Sequence, residues 1–575
     1  MQTIETERGR ISDRFAPPAR PWWGLDPRER VLCAVLVLAL WGPFLNKPVH
    51  IDDTVVLEVA ARVAINPLDP FAGSFDWVGE NLPLWQTTTN PPLLSYYLAP
   101  FWVWFGASEV ALHAAMLPFP FLLALSLLGL SRRFSVPGWW TLLFVLTSSP
   151  IWVATNLMRD VPAAALASVG LALFLRGVDQ PSRPLLLAGS VAAGLAILTK
   201  YSMGMVVPLL ALYAFLNRRS RLAAWLIPAL AIPTLWCLFT WHQYGEAHPL
   251  YLAARNYPGP TFFWLDKAMG AMVITGGALL LTPLLLARTW KGGKRRLAAF
   301  SLLSGIVMGL AAVALNGKTS GQYLVWTFLG AALLFLCLET GLGQIGRLWV
   351  EKRSDALDSF FLLSWLVAPL GFSIFFVPFQ AARRLDFAIP ALVFLAFRSL
   401  GSDGSLLEGA RSTPAKVNTS VLLLLLLQLT LGVLVNVADY EYAATYRNFA
   451  DDAGRNWTST HFDTWFVGHW GWQFYARKAG FRQLHRPGPY PREGDLLLWP
   501  RGVHIGRVFE GNEIAARLEK AAVIESPSRL PLVTVNSRGS GFYAVVRNAL
   551  PFRFQTPPRQ RLEIYRVGPP AEKSS

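Results

Sequence analysis

The sequence predicts an α-helical polytopic membrane protein with about thirteen transmembrane helices and a C-terminal soluble domain of α/β or α+β type. Three observations carry this expectation. Of 575 residues, 53% are apolar and only 15% charged, too little polar surface for a soluble globule of this length. Apolar runs close to the roughly 20 residues that a helix needs to cross a bilayer recur from Val31 to about Val437. Beyond Val437 the composition turns mixed, with short apolar stretches separated by Gly and Pro.

The predicted spans fall near 30–46, 110–130, 137–157, 160–177, 184–199, 201–217, 222–242, 266–288, 297–315, 322–340, 359–378, 385–400 and 417–437. Residues 1–30 carry six arginines and lack a small-residue cleavage signature, so they form a cytoplasmic N-terminal segment ahead of a retained first helix. The run Leu93–Phe105 is short, opens with Pro91-Pro92 and is rich in Trp and Tyr, which predicts an interfacial helix. With the N-terminus inside, the basic clusters Arg132-Arg133, Arg176 with Arg183, Arg218-Arg219, Arg288 to Arg296, and Arg347 with Lys352-Arg353 all fall in cytoplasmic loops. Counting 93–105 as a span would invert every one of them. Residues 31–437 are therefore a transmembrane domain with a large outer loop at 46–92, and residues 438–575 an extracytoplasmic soluble domain.

In that tail, Thr464–Gly468, Asp495–Trp499, Leu530–Val535 and Phe542–Val546 read as strands, and Glu510–Ala522 as a helix. The aromatic stretch Trp465–Tyr475 suits a small core, or stacking on sugar rings. The net charge of +16 is spread between apolar runs and forms no basic patch with interleaved aromatics, which excludes nucleic acid as a partner. The three cysteines lie in apolar segments without metal-ligand spacing, so neither a disulfide nor a cysteine metal site is expected.

Charges that break the topological trend mark candidate sites, because a charge near lipid needs an anion or a carboxylate partner. Lys200, Arg255, Lys267, Lys318, Arg383 and Arg384 fall on the outer side at helix ends. The first outer loop opens with His50-Ile51-Asp52-Asp53 and closes with Thr89-Asn90-Pro91-Pro92. Adjacent carboxylates at the membrane surface suit a general base, since an attacking hydroxyl or amine must lose a proton. A lipid-phosphate leaving group would need cations nearby, for which Arg offers a planar fork and Lys a point charge.

Together, Asp52-Asp53, Asn90-Pro-Pro-Leu-Leu with Phe105-Gly106, Met158-Arg159-Asp160-Val161-Pro162, Gly194 through Thr199-Lys200-Tyr201, and Arg383-Arg384-Leu-Asp-Phe-Ala-Ile-Pro390 resemble the GT-C glycosyltransferases. Within that class the chain is most similar to protein O-mannosyltransferases and lipid A aminoarabinose transferases, over roughly residues 30–400. The resemblance implies a polyprenyl-phosphate sugar donor, inversion at the sugar carbon and transfer on the extracytoplasmic face of a bacterial inner membrane. It places the catalytic candidates at Asp52, first as general base, and Asp53. Asp160, His50 and Asn90 become acceptor-binding or orienting residues, and Lys200, Arg383 and Arg384 the donor-phosphate ligands.

The chain departs from the family in Asp53, where Glu is usual, in Asn90, where Lys or His often precedes the prolines, and in His113, where many members have Arg. The implied partners are the donor, membrane lipid, and an acceptor that is protein, lipid or polysaccharide. No cofactor is called for, although His50, His242 and His248 near the outer face could hold a divalent metal with the aspartates. The alternative is a polytopic transporter or lipid flippase, which would show repeated halves; no such symmetry is present.

Overall fold

The computed structural model describes residues 24–153, 156–255, 264–291, 294–316, 320–351, 354–400, 419–458, 461–536, 540–543, 550–556 and 559–569. The first 23 residues of the N-terminal segment, Lys318 and most of the predicted strand Phe542–Val546 lie outside them.

The chain is an integral membrane protein made mostly of helices. Among the described residues seven are long and apolar enough to cross a bilayer: Glu109–Arg133, Asp160–Asp179, Ser220–Tyr244, Arg295–Ala314, Gly321–Gly343, Asp355–Phe375 and Thr419–Asn456. Large apolar side chains face outward along them, including Phe300, Leu303, Ile306 and Leu310 on one helix and Leu423, Leu426 and Leu427 on another. Such a surface needs lipid around it.

The remaining predicted spans hold helices of other kinds. Interval 266–288 is a pair, Trp264–Ala278 and Thr282–Lys291, bent by 86°. Interval 137–157 breaks into Gly138–Leu146 and Ser149–Trp152, with Pro150 opening the second piece. Arg183–Thr199, Tyr201–Leu216 and Ala388–Ser399 are apolar but shorter than a full span. By length and composition, seven crossings stand out among the described residues, and up to eight with the bent pair counted as one; short helices buried among their neighbours carry the same composition as spanning ones.

Small residues let the helices approach closely. A Cβ added to Gly330 would lie 1.8 Å from the Met272 carbonyl oxygen, and one on Gly276 would lie 2.0 Å from that of Trp326. Helix Trp264–Ala278 thus crosses helix Gly321–Glu351 with backbones touching.

At the end away from the tail, loops are joined by charge. Arg133 binds Asp179 at 2.6 Å and Asp358 at 3.0 Å, Arg132 binds Glu29, and Arg398 donates to the Phe134 carbonyl at 2.8 Å. These are the loops in which the sequence concentrates its basic residues.

Helix Thr419–Asn456 crosses the predicted domain boundary without a break. Its 38 residues reach about 57 Å at 1.5 Å per residue, against roughly 30 Å of hydrocarbon. The helix therefore leaves the bilayer near its midpoint and becomes the spine of the tail. Composition changes at Val437 because the surroundings change from lipid to water, while the helix continues.

The tail contains a five-stranded sheet in the order Arg482–Gln483, Thr464–Phe466, Leu496–Pro500, Gln560–Val567, Leu518–Ser526. The first three strands are parallel and the last two pairings antiparallel. The helix expected over Glu510–Ala522 is corrected to a turn of 3-10 helix, Ile514–Arg517, followed by the edge strand Leu518–Ser526. The helix-forming residues of Ile514–Lys520 are overridden by eight-residue pairing with Gln560–Val567. Trp465, Trp472 and Tyr475 of the aromatic stretch are buried in the packing of the tail.

The first outer loop is folded rather than extended. It carries helix Asp53–Ile65 and the hairpin strands Ser74–Asp76 and Asn81–Pro83. Tail helix Trp470–Lys478 packs on it, with the Val49 amide donating to the Tyr475 hydroxyl at 2.7 Å and the Trp470 carbonyl accepting from Thr54 at 2.8 Å. Asp76 ties off the hairpin by accepting from the Val78 and Gly79 amides, while burial pushes its carboxyl up to about 6. Loop and tail form one cap over one end of the helices.

Gly330→Ala should separate the two crossing helices. We expect a clear drop in the thermal unfolding temperature of the purified protein in detergent, whereas Gly309→Ala, which meets nothing within 4 Å, should leave it unchanged.

Candidate active site

Beneath this cap the chain brings together charged residues from four places. Asp52 is the residue ahead of helix Asp53–Ile65, and Asp160 opens helix Asp160–Asp179. Lys200 sits in extended backbone where helix Arg183–Thr199 ends. Arg383 and Arg384 occupy the short 3-10 turn Ala382–Leu385. Each lies at a helix end, where the backbone is free to turn a side chain toward the common centre.

Arg383 is the pivot. Its guanidinium meets Asp52 at 2.6 Å and Asp160 at 3.6 Å. Asp160 is also bound by Lys200 at 2.7 Å, and Lys200 lies 3.9 Å from Asp386. Arg384 donates to the Phe379 carbonyl at 2.7 Å and stacks on the Phe379 ring at 4.0 Å.

The acidic pair splits into two environments. The Asp52 side chain is 31% exposed, whereas Asp53 is fully buried. Asp53 accepts from the His50 amide at 2.9 Å, its other oxygen has no partner among the described residues, and burial pushes its carboxyl well above the usual range. Between them and the first helix, Ile51 holds a φ of 44°, a left-handed conformation that a β-branched residue adopts only under strain. Asp52 is thus the carboxylate of the pair that substrate can reach.

His50 turns away from this centre. Its Nε2 lies 3.5 Å from Asp439, and burial lowers its basicity against the pull of that carboxylate. Asn90 bonds its neighbour Thr89 at 3.1 Å, and none of its hydrogen bonds among the described residues joins it to the cluster. His248 is engaged by the Tyr201 hydroxyl and the Thr88 carbonyl. No group of three or more His, Cys, Asp or Glu among the described residues could hold a metal ion.

Three members of the site escape the sequence reading. Asp386 follows the arginine pair and is fully buried. Asp439, fully buried on the long helix, binds Lys47 at 2.6 Å. Arg159 is buried with its Nε and one Nη lacking hydrogen-bond partners among the described residues, and its electrostatic neighbours include Asp52, Asp160 and Arg383. A signal for Arg159 was present: it sits beside Asp160 on the outer side, against the charge trend. The cluster sums to four cations, Arg159, Lys200, Arg383 and Arg384, against three carboxylates, Asp52, Asp160 and Asp386.

An apolar cleft walled by Trp41, Phe44, Leu45, Met116, Pro120, Val161 and Pro162 opens beside Asp160. His113 and Asn156 line it, and His113 Nε2 and Asn156 Oδ1 are buried there without partners. The cleft can accept hydroxyl donors carried on an apolar frame.

Arg159→Gln should remove a buried charge with two nitrogens that lack hydrogen bonds among the described residues. We expect the unfolding temperature of the purified protein in detergent to hold or rise.

The sequence matches no protein-family model, and no curated protein matches it. Among solved structures the chain is similar to ArnT from Cupriavidus metallidurans bound to undecaprenyl phosphate, at 16% identity and a TM-score of 0.41, covering 93% of this chain and 97% of that one. It is also similar to the same protein in its apo state, at 14% identity and a TM-score of 0.42, covering 94% of this chain and 99% of that one. At these values the chemistry of the site stands on its own geometry.

Proposed function

We propose that the chain is a membrane glycosyltransferase that moves a sugar from a polyprenyl-phosphate carrier to an acceptor on the extracytoplasmic face. The observation that carries this reading is the shared arginine: Arg383 lies between a reachable carboxylate, Asp52, and a buried one, Asp160, with the buried guanidinium of Arg159 close by. An excess of cations on largely buried side chains suits a phosphate, whose charge grows as the sugar leaves.

In this reading the donor phosphate takes Arg383, Lys200, Arg384 and Arg159 as partners. Drawing Arg383 toward phosphate releases Asp52, which then accepts the proton of the acceptor hydroxyl or amine. The acceptor's lone pair forms the new bond to the sugar anomeric carbon, the carbon–oxygen bond to phosphate breaks, and its electron pair stays on the lipid phosphate. Attack from the face opposite phosphate inverts the anomeric carbon. Asp160, held by Lys200, keeps the cations in register.

The charged loops at the far end would face the cytoplasm and the cap the extracytoplasmic side, as the distribution of Lys and Arg favours. The transporter or flippase alternative leaves the pairing of Asp52 with Arg383 without a task.

The test is sugar transfer in proteoliposomes from radiolabelled polyprenyl-phosphate sugars. Asp52→Asn should lower turnover by about 100-fold or more with donor binding retained. Asp53→Asn should lower it far less, and Lys200→Met should act chiefly on the donor KM. Full activity in Asp52→Asn would remove the base assignment. Absence of turnover with every donor, together with donor-independent lipid movement across the bilayer, would favour the flippase.

A further inference from the structure

Tyr543 belongs to the C-terminal tail, yet it is buried against the membrane-domain cluster. Its hydroxyl donates to Asp439 Oδ2 at 2.5 Å and accepts from Asn156 Nδ2 at 2.7 Å. With the single hydroxyl proton committed to Asp439, the phenol oxygen is left to receive the Asn156 amide. The ring lies beneath the Arg383 guanidinium, 5.9 Å from its carbon to the ring centroid. One residue earlier, the Phe542 carbonyl accepts from the Ala382 amide at 3.0 Å, next to Arg383. Thr534, also in the tail, donates to Asp439 Oδ1 at 2.8 Å.

These contacts fix the plane of the phenol from two sides. The ring in turn sets where the guanidinium can rest, since a cation over an aromatic face is attracted within about 6 Å of the centroid. We propose that Tyr543 is a positioning residue of the transfer site, through which the C-terminal tail holds Arg383 at the point where it faces both Asp52 and Asp160. The tail is then a working part of the site and does more than cover it. The inference rests on the polyprenyl-phosphate transferase reading.

The experiment is a double-variant cycle of Tyr543→Ala and Arg383→Lys, with Tyr543→Phe as the conservative variant, in full-length protein. It is read in donor kinetics and, without substrate, in thermal stability. Tyr543→Ala should lower kcat/KM by about tenfold with most of the change in the donor KM, and Tyr543→Phe should retain most of the activity. In the Arg383→Lys background the Tyr543→Ala effect should largely disappear, because the group through which it acts has changed. Equal losses in both backgrounds, with a matching fall in unfolding temperature, would show a purely structural residue and overturn the proposal. Should the wild type transfer no sugar and bind no undecaprenyl phosphate, the donor reading fails; coupling of the two sites in thermal stability would still uphold the contact.

Discussion

The buried carboxylate of Asp439 is the constraint around which this end of the molecule is arranged. It sits 20 residues into the long helix, about 30 Å from its start at 1.5 Å per residue, where the hydrocarbon ends. A fully buried carboxylate requires a cation and several donors to replace water. Lys47, at the start of the first outer loop, supplies the charge, and Thr534 and Tyr543 of the tail supply hydroxyls. First helix, long helix and tail must therefore meet at one level. That meeting point determines where the neighbouring residues His50 to Asp53 emerge.

From there the two aspartates of the pair are assigned different lives by access to solvent. Asp53 follows the strained Ile51 into the interior and accepts from the His50 amide, so it holds the turn that presents Asp52. Asp52 finds Arg383, and Arg383 finds Asp160. An ion pair of this kind is a closed resting state. It neutralises the site while empty, and an incoming phosphate competes for the arginine with more negative charge than one carboxylate carries. In the proposed transferase reading, these electrostatics favour an order in which donor arrival precedes proton removal from the acceptor.

Much of this was legible in the sequence. Lys200, Arg383 and Arg384 stood out because they defy the loop-charge trend, and Asp52 and Asp160 because they flank the same predicted face; the structure joins Lys200, Arg383, Asp52 and Asp160 through ion pairs, while Arg384 packs on Phe379. Two kinds of residue escaped. Asp439 and Lys47 lie at the margins of apolar runs, where a charge looks like a helix end meeting water, and only their burial shows otherwise. Tyr543 carries no local signal, since its partners Asp439 and Asn156 are more than one hundred residues away. The misread helix over Glu510–Ala522 has the same origin: pairing with a distant strand outweighed local propensity. Helix count is hard to read for another reason, because burial among helices and burial in lipid select the same side chains.

The division of charge also weighs on what kind of membrane protein this is. A transporter that binds and releases an unchanged solute needs a site able to face both sides, built from helices broken in matching positions. Here the cations and carboxylates are tied to one end and roofed by a folded loop and a tail that share hydrogen bonds with each other and with the cluster. Opening that roof for alternating access would expose the Lys47–Asp439 pair and break the Ala382–Phe542 bond at the same time. A site that stays closed toward one side and carries a reachable carboxylate beside surplus cations is suited to chemistry at a fixed interface. In the proposed transferase reading, the roof would keep water from the anomeric carbon and leave the lipid-facing helices as the route for the carrier.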